Sequence, residues 1–325
     1  MIKASIIGGS GYVAGELIRI LIHHPEVEIL QVYSHSMVDN SIAKAHPDLF
    51  MHSNLKFTGE FDSEVDVIFL CMGHGKSRDF LNKHSINPAT LIIDLGNDFR
   101  LTQDAIWNQR QFSYGLTEFN ASRLIGAKSI ANPGCFATAI QLALLPFAKE
   151  NELQEDIHIT GITGSTGAGK SLSETSHFSW RNNNLSAYKI FSHQHEEEIK
   201  QNLKNCSNAN FGELNFVPIR GNFTRGIFAS IYFKSSLTKE ECQALLKEQY
   251  ATSPFVFIAN DTIHLKQVVN TNYALIHPHV SEGKVHLTIC IDNLIKGACG
   301  QAVQNMNVAL GIPQTTGLFF KPNYF

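Results

Sequence analysis

The sequence predicts an α/β protein, with a Rossmann-type doubly wound parallel sheet first and a second, α+β domain built on a mixed, mainly antiparallel sheet. Three observations carry that reading. Short β-rich runs alternate with helical patterns through the first half, a glycine-rich turn joins the first strand to the first helix, and the later strands are longer. Residues 3–7 read as a strand and residues 12–23 as a helix with Val13, Leu17, Ile20 and Leu21 inward. Residues 27–33, 65–72 and 91–95 read as further strands, and the 65–72 run is nearly all apolar, as a sheet covered on both faces requires. Residues 136–145 are an apolar run of helical character. Residues 157–163, 226–233 and 285–292 read as the longer strands, 171–184 as a polar loop over a site, and 296–310 as a closing helix.

Composition narrows the class. The chain has 325 residues, enough for one large or two ordinary domains, and its 23 glycines and 10 prolines are too few for a collagen-like or low-complexity chain. The formal net charge of −3 offers no broad basic surface for nucleic acid. No apolar run approaches the ~20 residues of a membrane span, and the first strand begins almost at Met1, which predicts a cytoplasmic protein without a leader. Cys71, Cys135, Cys206, Cys242, Cys290 and Cys299 form no C-x-x-C pair and read as reduced thiols. No Cys/His quartet has zinc spacing, so no metal site is expected.

Two glycine motifs point in different directions. Gly8-Gly9-Ser10-Gly11-Tyr12-Val13-Ala14 fits G-x-G-x-x-A between a strand and a helix, where backbone can approach a pyrophosphate and helix N–H groups can face its charge. Gly8, Ser10, Gly11, Tyr12 and Val13 are therefore candidate cofactor contacts. An NAD site usually presents an acid after the second strand. Here Ser34, His35 and Ser36 stand there, with Lys44 following, which favours the 2′-phosphate of NADP(H), with Ser34 and Ser36 as its contacts. The second motif, Gly164 to Ser171, satisfies G-x-x-x-x-G-K-S, but the residues after Lys170 have no amphipathic helical face, and a triphosphate loop needs a helix there. It reads as a glycine loop serving another ligand.

One thiol separates from the rest. Asn132-Pro133-Gly134 makes a turn that puts Cys135 at a helix N-terminus, where the dipole favours the thiolate that attacks carbonyl carbon. Cys71, Cys290 and Cys299 fit ordinary packing. A base is expected from His193-Gln194-His195, which opens a helix, and Glu198 lies three residues after His195, where it could orient that ring.

The chain resembles the N-acetyl-γ-glutamyl-phosphate reductase family, the arginine-biosynthesis branch of the semialdehyde dehydrogenases. The likeness runs over nearly the whole length. It rests on the first glycine turn with Gly15-Glu16-Leu17, on Asp94-Leu95 with Asp98-Phe99-Arg100-Leu101, and on Tyr114 to Glu118. Its most specific parts are Ala131 to Thr138, the histidine cluster with Glu198-Ile199, Thr224-Arg225-Gly226, and Asp292 to Ala298 with Gly300-Gln301-Ala302. The resemblance implies NADPH-dependent reductive dephosphorylation of an N-acyl-γ-glutamyl phosphate through a thioester on Cys135, with His195 or His193 as acid/base. It implies that Ser165, Arg225 and Arg100, with Asn132 and Glu198, meet the substrate, and that Gly164 and Asn293 lie by the cofactor. It further implies an NADP-binding domain of residues 1–134 and 297–325, a catalytic and dimerisation domain of residues 135–296, and a homodimer or homotetramer.

Two positions depart from the family pattern. His35 stands where the family commonly has Arg, and Gln194 and Glu197 replace an Arg and a Pro in the histidine motif. These changes suggest a different acyl group, for example a dicarboxylic one such as succinyl. The rival readings are an aspartate-semialdehyde dehydrogenase-like or aminoadipyl-phosphate reductase and, in another class, a non-catalytic NADP-binding regulator.

Overall fold

The computed structural model describes residues 1–73, 75–207 and 210–324. The chain divides into two compact units, residues 1–134 with 298–319, and residues 135–297 with those from Phe320 onward. The sequence expectation kept the last residues with the first domain. They cluster instead with the second, where the Asn323 N–H donates to Val269 O at 3.2 Å and the Tyr324 ring meets His264 edge-on.

The first unit contains β1 (Ile2–Ile7), α1 (Tyr12–Leu21), β2 (Val27–Tyr33), β3 (Phe57–Thr58), β4 (Val67–Leu70), α2 (Ser77–Lys83) and β5 (Leu91–Asp94). It continues with β6 (Ile106–Trp107), β7 (Arg110–Gln111), β8 (Ser113–Tyr114), α3 (Thr117–Leu124) and β9 (Ser129–Ala131), and takes α8 (Gly300–Ala309) from the end of the chain. Seven strands form one sheet in the order β3-β2-β1-β4-β5-β9-β8, and every pairing in it is parallel. β4 and β5 are buried along their whole length, which explains their unbroken apolar sequence. α1 buries Ala14, Leu17, Ile18 and Leu21 on one face.

α8 docks differently. It is buried from Gly300 to Asn307, and amides rather than aliphatic side chains fix its place. Gln301 donates to Gly115 O (3.1 Å) and Thr117 Oγ1 (2.6 Å), and Asn305 to Gly115 O (2.8 Å) and Asn132 Oδ1 (3.0 Å). Asn307 donates to Thr316 O at 2.9 Å and bonds the His24 ring at 3.1 Å. Buried amides left without these partners would each cost about 1–3 kcal/mol, so the helix has one register.

The second unit contains α4 (Cys135–Lys149), β10 (Ile157–Thr163), α5 (Phe178–Arg181), β11 (Ser186–Ala187), α6 (His195–Cys206), β12 (Leu214–Arg220) and β13 (Ile227–Lys234). α7 (Lys239–Gln249), β14 (Val256–Ile258), β15 (Ala274–Ser281) and β16 (Lys284–Ile291) follow. Its sheet runs β11-β12-β10-β13-β16-β15-β14; β10–β12 and β14–β15 pair parallel and the other neighbours antiparallel. The mixed, mainly antiparallel sheet is the expected one. α4, α6 and α7 pack against this sheet, while partly exposed side chains alternate along β13 and β15. The 171–184 stretch, expected as a loop, holds a 3₁₀ turn (Glu174–Ser176) and the single turn α5.

The predicted helix over residues 296–310 begins later than expected. A π turn (Ile295–Cys299) precedes α8, and in it the Gly297 N–H donates five residues back, to Asp292 O at 2.9 Å.

Candidate active site

In the first unit the turn after β1 is built by three glycines with three different reasons. Gly8 has φ +81°, and a Cβ there would come within 3.0 Å of the Cys71 backbone. At Gly9 a Cβ would lie 2.3 Å from Val32 Cγ1. Those two are demanded by the fold. Gly11 has an ordinary φ of −81°, and a Cβ there would meet nothing nearer than Gly8 O at 4.0 Å. The chain's own packing does not call for glycine at that position, at the N-cap of α1, where no side chain caps the helix and no acid sits in its first turn. Room beside an uncapped helix N-terminus fits a pyrophosphate. Ser10 and Val13 are half-buried around it, and Tyr12 is exposed.

No acid follows β2. The Ser34 N–H donates to Thr58 O (3.0 Å) and its residue is buried, whereas His35 and Ser36 are exposed. The His35 ring lies 2.8 Å from the Tyr33 hydroxyl. With no carboxylate at residues 33–36 to accept from a ribose 2′-hydroxyl, the position suits NADP(H).

Two expected substrate residues of this unit are engaged within the fold. Arg100 is 6% exposed, and it donates through Nε to Asn132 O (2.9 Å) and through Nη2 to Leu95 O (3.2 Å). Asn132, 1% exposed, accepts from Asn305 and donates to Ala298 O at 3.1 Å. Both are framework rather than surface groups, because the backbone between β9 and Gly134 needs buried partners.

Asp94, at the end of β5, is fully buried. It accepts from Ser77 Oγ (2.5 Å) and the Gly96 N–H (3.0 Å), yet burial pushes its carboxyl up to about 6. A carboxyl that ionises near 3.8 when unfolded and about 6 when folded binds more protons in the fold across that interval. Its contribution is therefore fully present below the unfolded value and lost as pH rises through 6, on the order of 3 kcal/mol in all. Asp94→Asn keeps the acceptor for Ser77 and is expected to flatten this decline; denaturation midpoints from pH 4.5 to 8 for both proteins check it.

In the second unit Cys135 is the first residue of α4 and is half-buried. Gly297 lies against it: a Cβ at that glycine would sit 2.7 Å from Cys135 Cβ. The π turn makes this close approach, so the late glycine segment is part of the cysteine's seat. Burial drives Cys71, Cys242 and Cys290 well above the usual thiol range, to about 12 for the last two, which keeps them protonated.

α4 packs on α6, which His195 opens. The His193 and His195 rings lie 4.6 Å apart edge to face, and Phe136, Phe216 and Tyr188 surround His193 at 5.6, 5.5 and 5.8 Å. The His195 N–H donates to His193 Nδ1 at 3.1 Å, so that nitrogen carries no proton and a neutral His193 ring holds its hydrogen on Nε2. Glu196 caps the turn by accepting from the His193 N–H (3.0 Å), and both it and Glu198 are buried.

The glycine loop makes a 3₁₀ turn (Ser165–Ala168) with no helix directly after Lys170, which removes the triphosphate-loop geometry. Gly164 is packed against the Thr224–Arg225 backbone, and the Ser165 N–H donates to Phe223 O (2.8 Å). Asn293 ties this region together, accepting from the Gly226 N–H (2.6 Å) and donating to Thr166 Oγ1 (3.0 Å). Arg225, expected at the substrate, directs Nε and Nη2 at the fully buried Asp292, at 3.2 and 3.3 Å.

Sequence reading missed Arg220. Its guanidinium stacks 4.7 Å above Tyr188 and donates to Gly164 O at 2.9 Å. Burial pushes the Tyr188 phenol up to about 12 against the pull of Arg220, with Cys135 among the charges that raise it. Arg220 has no ion pair among the described residues. Its signal was present only as one more cation in a β strand. No group of three or more His, Cys, Asp or Glu among the described residues could hold a metal, and no helix among them is long and apolar enough to cross a membrane.

Residues 3–127 match the family model described as semialdehyde dehydrogenase, NAD binding domain, and residues 135–293 that described as semialdehyde dehydrogenase, dimerisation domain. Curated proteins named N-acetyl-gamma-glutamyl-phosphate reductase match over the full length of both chains, at 52% identity in Flavobacterium johnsoniae and 49% in Christiangramia forsetii. Among solved structures, aspartate semialdehyde dehydrogenase II from Vibrio cholerae aligns with TM-score 0.72 at 16% identity, covering 95% of this chain and 98% of that one. The aspartate semialdehyde dehydrogenase with NADP from Candida albicans aligns at 0.66 and 14%, covering 95% and 98%. These two likenesses speak to the fold.

Proposed function

We infer the reaction from one premise: the chain belongs to the N-acetyl-γ-glutamyl-phosphate reductases of the semialdehyde dehydrogenase family. It is an oxidoreductase of the acyl-phosphate and aldehyde class, with NADP(H) as its cofactor. The reaction is reductive dephosphorylation of an N-acyl-γ-glutamyl phosphate to the 5-semialdehyde and inorganic phosphate, a step of arginine biosynthesis. The observation that carries the chemistry is Cys135 at the first turn of α4, seated against Gly297, with the His193–His195 pair at the start of α6, which packs on α4.

Cys135 sulfur attacks the acyl carbon, the C–S bond forms, the bond to the phosphate oxygen breaks, and phosphate departs. NADPH, when bound, would supply the hydride for the thioester carbon. His195 gives a proton to the oxygen as its charge develops and takes it back as the thiohemiacetal opens, releasing aldehyde and restoring the thiolate. The His193 ring, held through Nδ1 by the His195 backbone N–H, packs edge-on against the His195 ring. Gly8, Ser10, Gly11, Tyr12 and Val13 would hold the pyrophosphate end of the cofactor, and Ser34, His35 and Ser36 its 2′-phosphate. Ser165 in the glycine loop and Arg220, which donates to Gly164 O, would meet a substrate anion.

The N-acyl group is assigned as acetyl, the group in the relatives' name. A second reading, a dicarboxylic group such as succinyl, is favoured by Arg220, a cation without an ion pair among the described residues, together with Gln194 in the histidine motif. The protein is assigned to the cytoplasm as a homodimer or homotetramer through its dimerisation domain.

The test is the reverse assay, NADP⁺ reduction by N-acyl-glutamate semialdehyde with and without phosphate. Phosphate-dependent reduction is expected; reduction that ignores phosphate would remove the acyl-phosphate assignment. A clear preference for the acetyl over the succinyl substrate excludes the dicarboxylic reading. Binding of NADPH with no turnover of any semialdehyde would favour a regulator.

A further inference from the structure

His46 lies outside every motif of the sequence, between β2 and β3, yet it touches the nucleotide turn. Its Nε2 is 2.7 Å from Gly9 O, and the residue is 7% exposed. A carbonyl oxygen only accepts, so Nε2 carries the hydrogen and donates. The ring rests on α1 at Gly15, where a Cβ would come within 2.5 Å of Nδ1 and 2.8 Å of Cε1. The His46 N–H is anchored in turn to Ile42 O (3.0 Å), and its carbonyl accepts from the Leu49 N–H (3.0 Å). The imidazole is thus held on three sides: by its own turn, by the helix surface and by the carbonyl.

We propose that His46 is the positioning residue of the NADP(H) site, fixing the Gly9–Ser10 peptide through Gly9 O so that the turn is set before the cofactor arrives. A trans peptide points its C=O and its N–H in opposite directions. Pinning Gly9 O toward His46 therefore pins the Ser10 N–H away from it, on a stretch whose N–H groups are its means of meeting phosphate oxygens. The preceding peptides are already tied down, because the Gly8 and Gly9 N–H groups both donate to Tyr33 O, at 3.1 and 3.0 Å. His46 completes that restraint from the opposite side. It also gives Gly15 a reason: the helix gives up a side chain there to admit the ring.

This inference rests on the reading of the chain as an NADP(H) enzyme and concerns affinity, not chemistry. Its test is direct titration of the full-length protein with NADPH, by fluorescence or calorimetry, beside steady-state kinetics and thermal melting. His46→Leu keeps the bulk and removes the donor; about tenfold weaker NADPH binding is expected, with kcat at saturating NADP⁺ and the KM for semialdehyde in the reverse assay within about twofold of wild type. His46→Gln retains an N–H donor and is expected to recover most of the loss. Gly15→Ala, which raises helix propensity, should reproduce the His46→Leu defect by displacing the ring. NADPH dissociation constants unchanged in both His46→Leu and Gly15→Ala, or a fall in kcat without a change in binding, would overturn the proposal. Should His46→Leu not fold, the Gln and Ala variants decide it alone. A wild-type protein that fails to bind NADPH would instead overturn the functional reading, which separates the two.

Discussion

Cys135→Ser is expected to abolish turnover in the phosphate-dependent assay, by about 10³-fold or more, while NADPH binding and the melting temperature stay close to wild type. The oxygen of serine is a far weaker nucleophile at neutral pH and a poorer leaving group from the hemiacetal, so both halves of the reaction suffer. The fold has no reason to react, because a hydroxyl fits where a half-buried thiol stood at the start of α4. Rapid mixing of substrate with the wild type should show one equivalent of phosphate released per site without NADPH present, and none with the variant. Retention of a tenth or more of the activity by Cys135→Ser would exclude a thioester on this residue.

The largest effect on stability is expected at Asp292. Its carboxylate is fully buried and accepts from the N–H groups of Leu294 (2.8 Å), Ile295 (3.0 Å) and Asn270 (2.7 Å) as well as from Arg225. Asp292→Ala strands these backbone donors and a largely buried guanidinium at once, and removing one partner from such a buried pair costs about 3–5 kcal/mol. Asp292→Asn keeps an acceptor in place and should lose less than half as much. Urea denaturation of the two variants measures the difference. The same residue's carbonyl receives the Gly297 N–H, so Asp292→Ala should lower kcat as well, by loosening the π turn against which Cys135 sits.

These two sites also mark what the sequence made legible. Cys135 stood out because Pro133-Gly134 forces a turn directly before an apolar helical run, a local signal that needs no knowledge of distant residues. The glycine turn after β1 was legible for the same reason, and the parallel sheet followed from strands apolar on both faces. The tasks of Arg225 and Arg100 were not legible. A cation announces a charge, but its partner is chosen by the fold; Asp292 lies 67 positions from Arg225, and Arg100 answers backbone carbonyls that carry no residue signature. His46 escaped because its partner is a peptide oxygen 37 residues earlier. The π turn escaped because a helix pattern records which residues face inward and not how many hydrogen bonds were skipped to bring them there.

The amide-lined dock of α8 has a consequence in time. The first unit is synthesised first, yet the polar groups at Gly115, Thr117 and Asn132 acquire their partners only when residues 301–305 have been made. At about 5–20 residues per second, the unit waits on the order of ten seconds or more for its last helix, with the second unit emerging in between. The domain that begins the chain thus waits for a helix made after nearly all of the second unit, and a ribosome stalled before codon 300 would hold residues 135–297 of the cysteine-bearing unit behind a nucleotide-binding one without its α8.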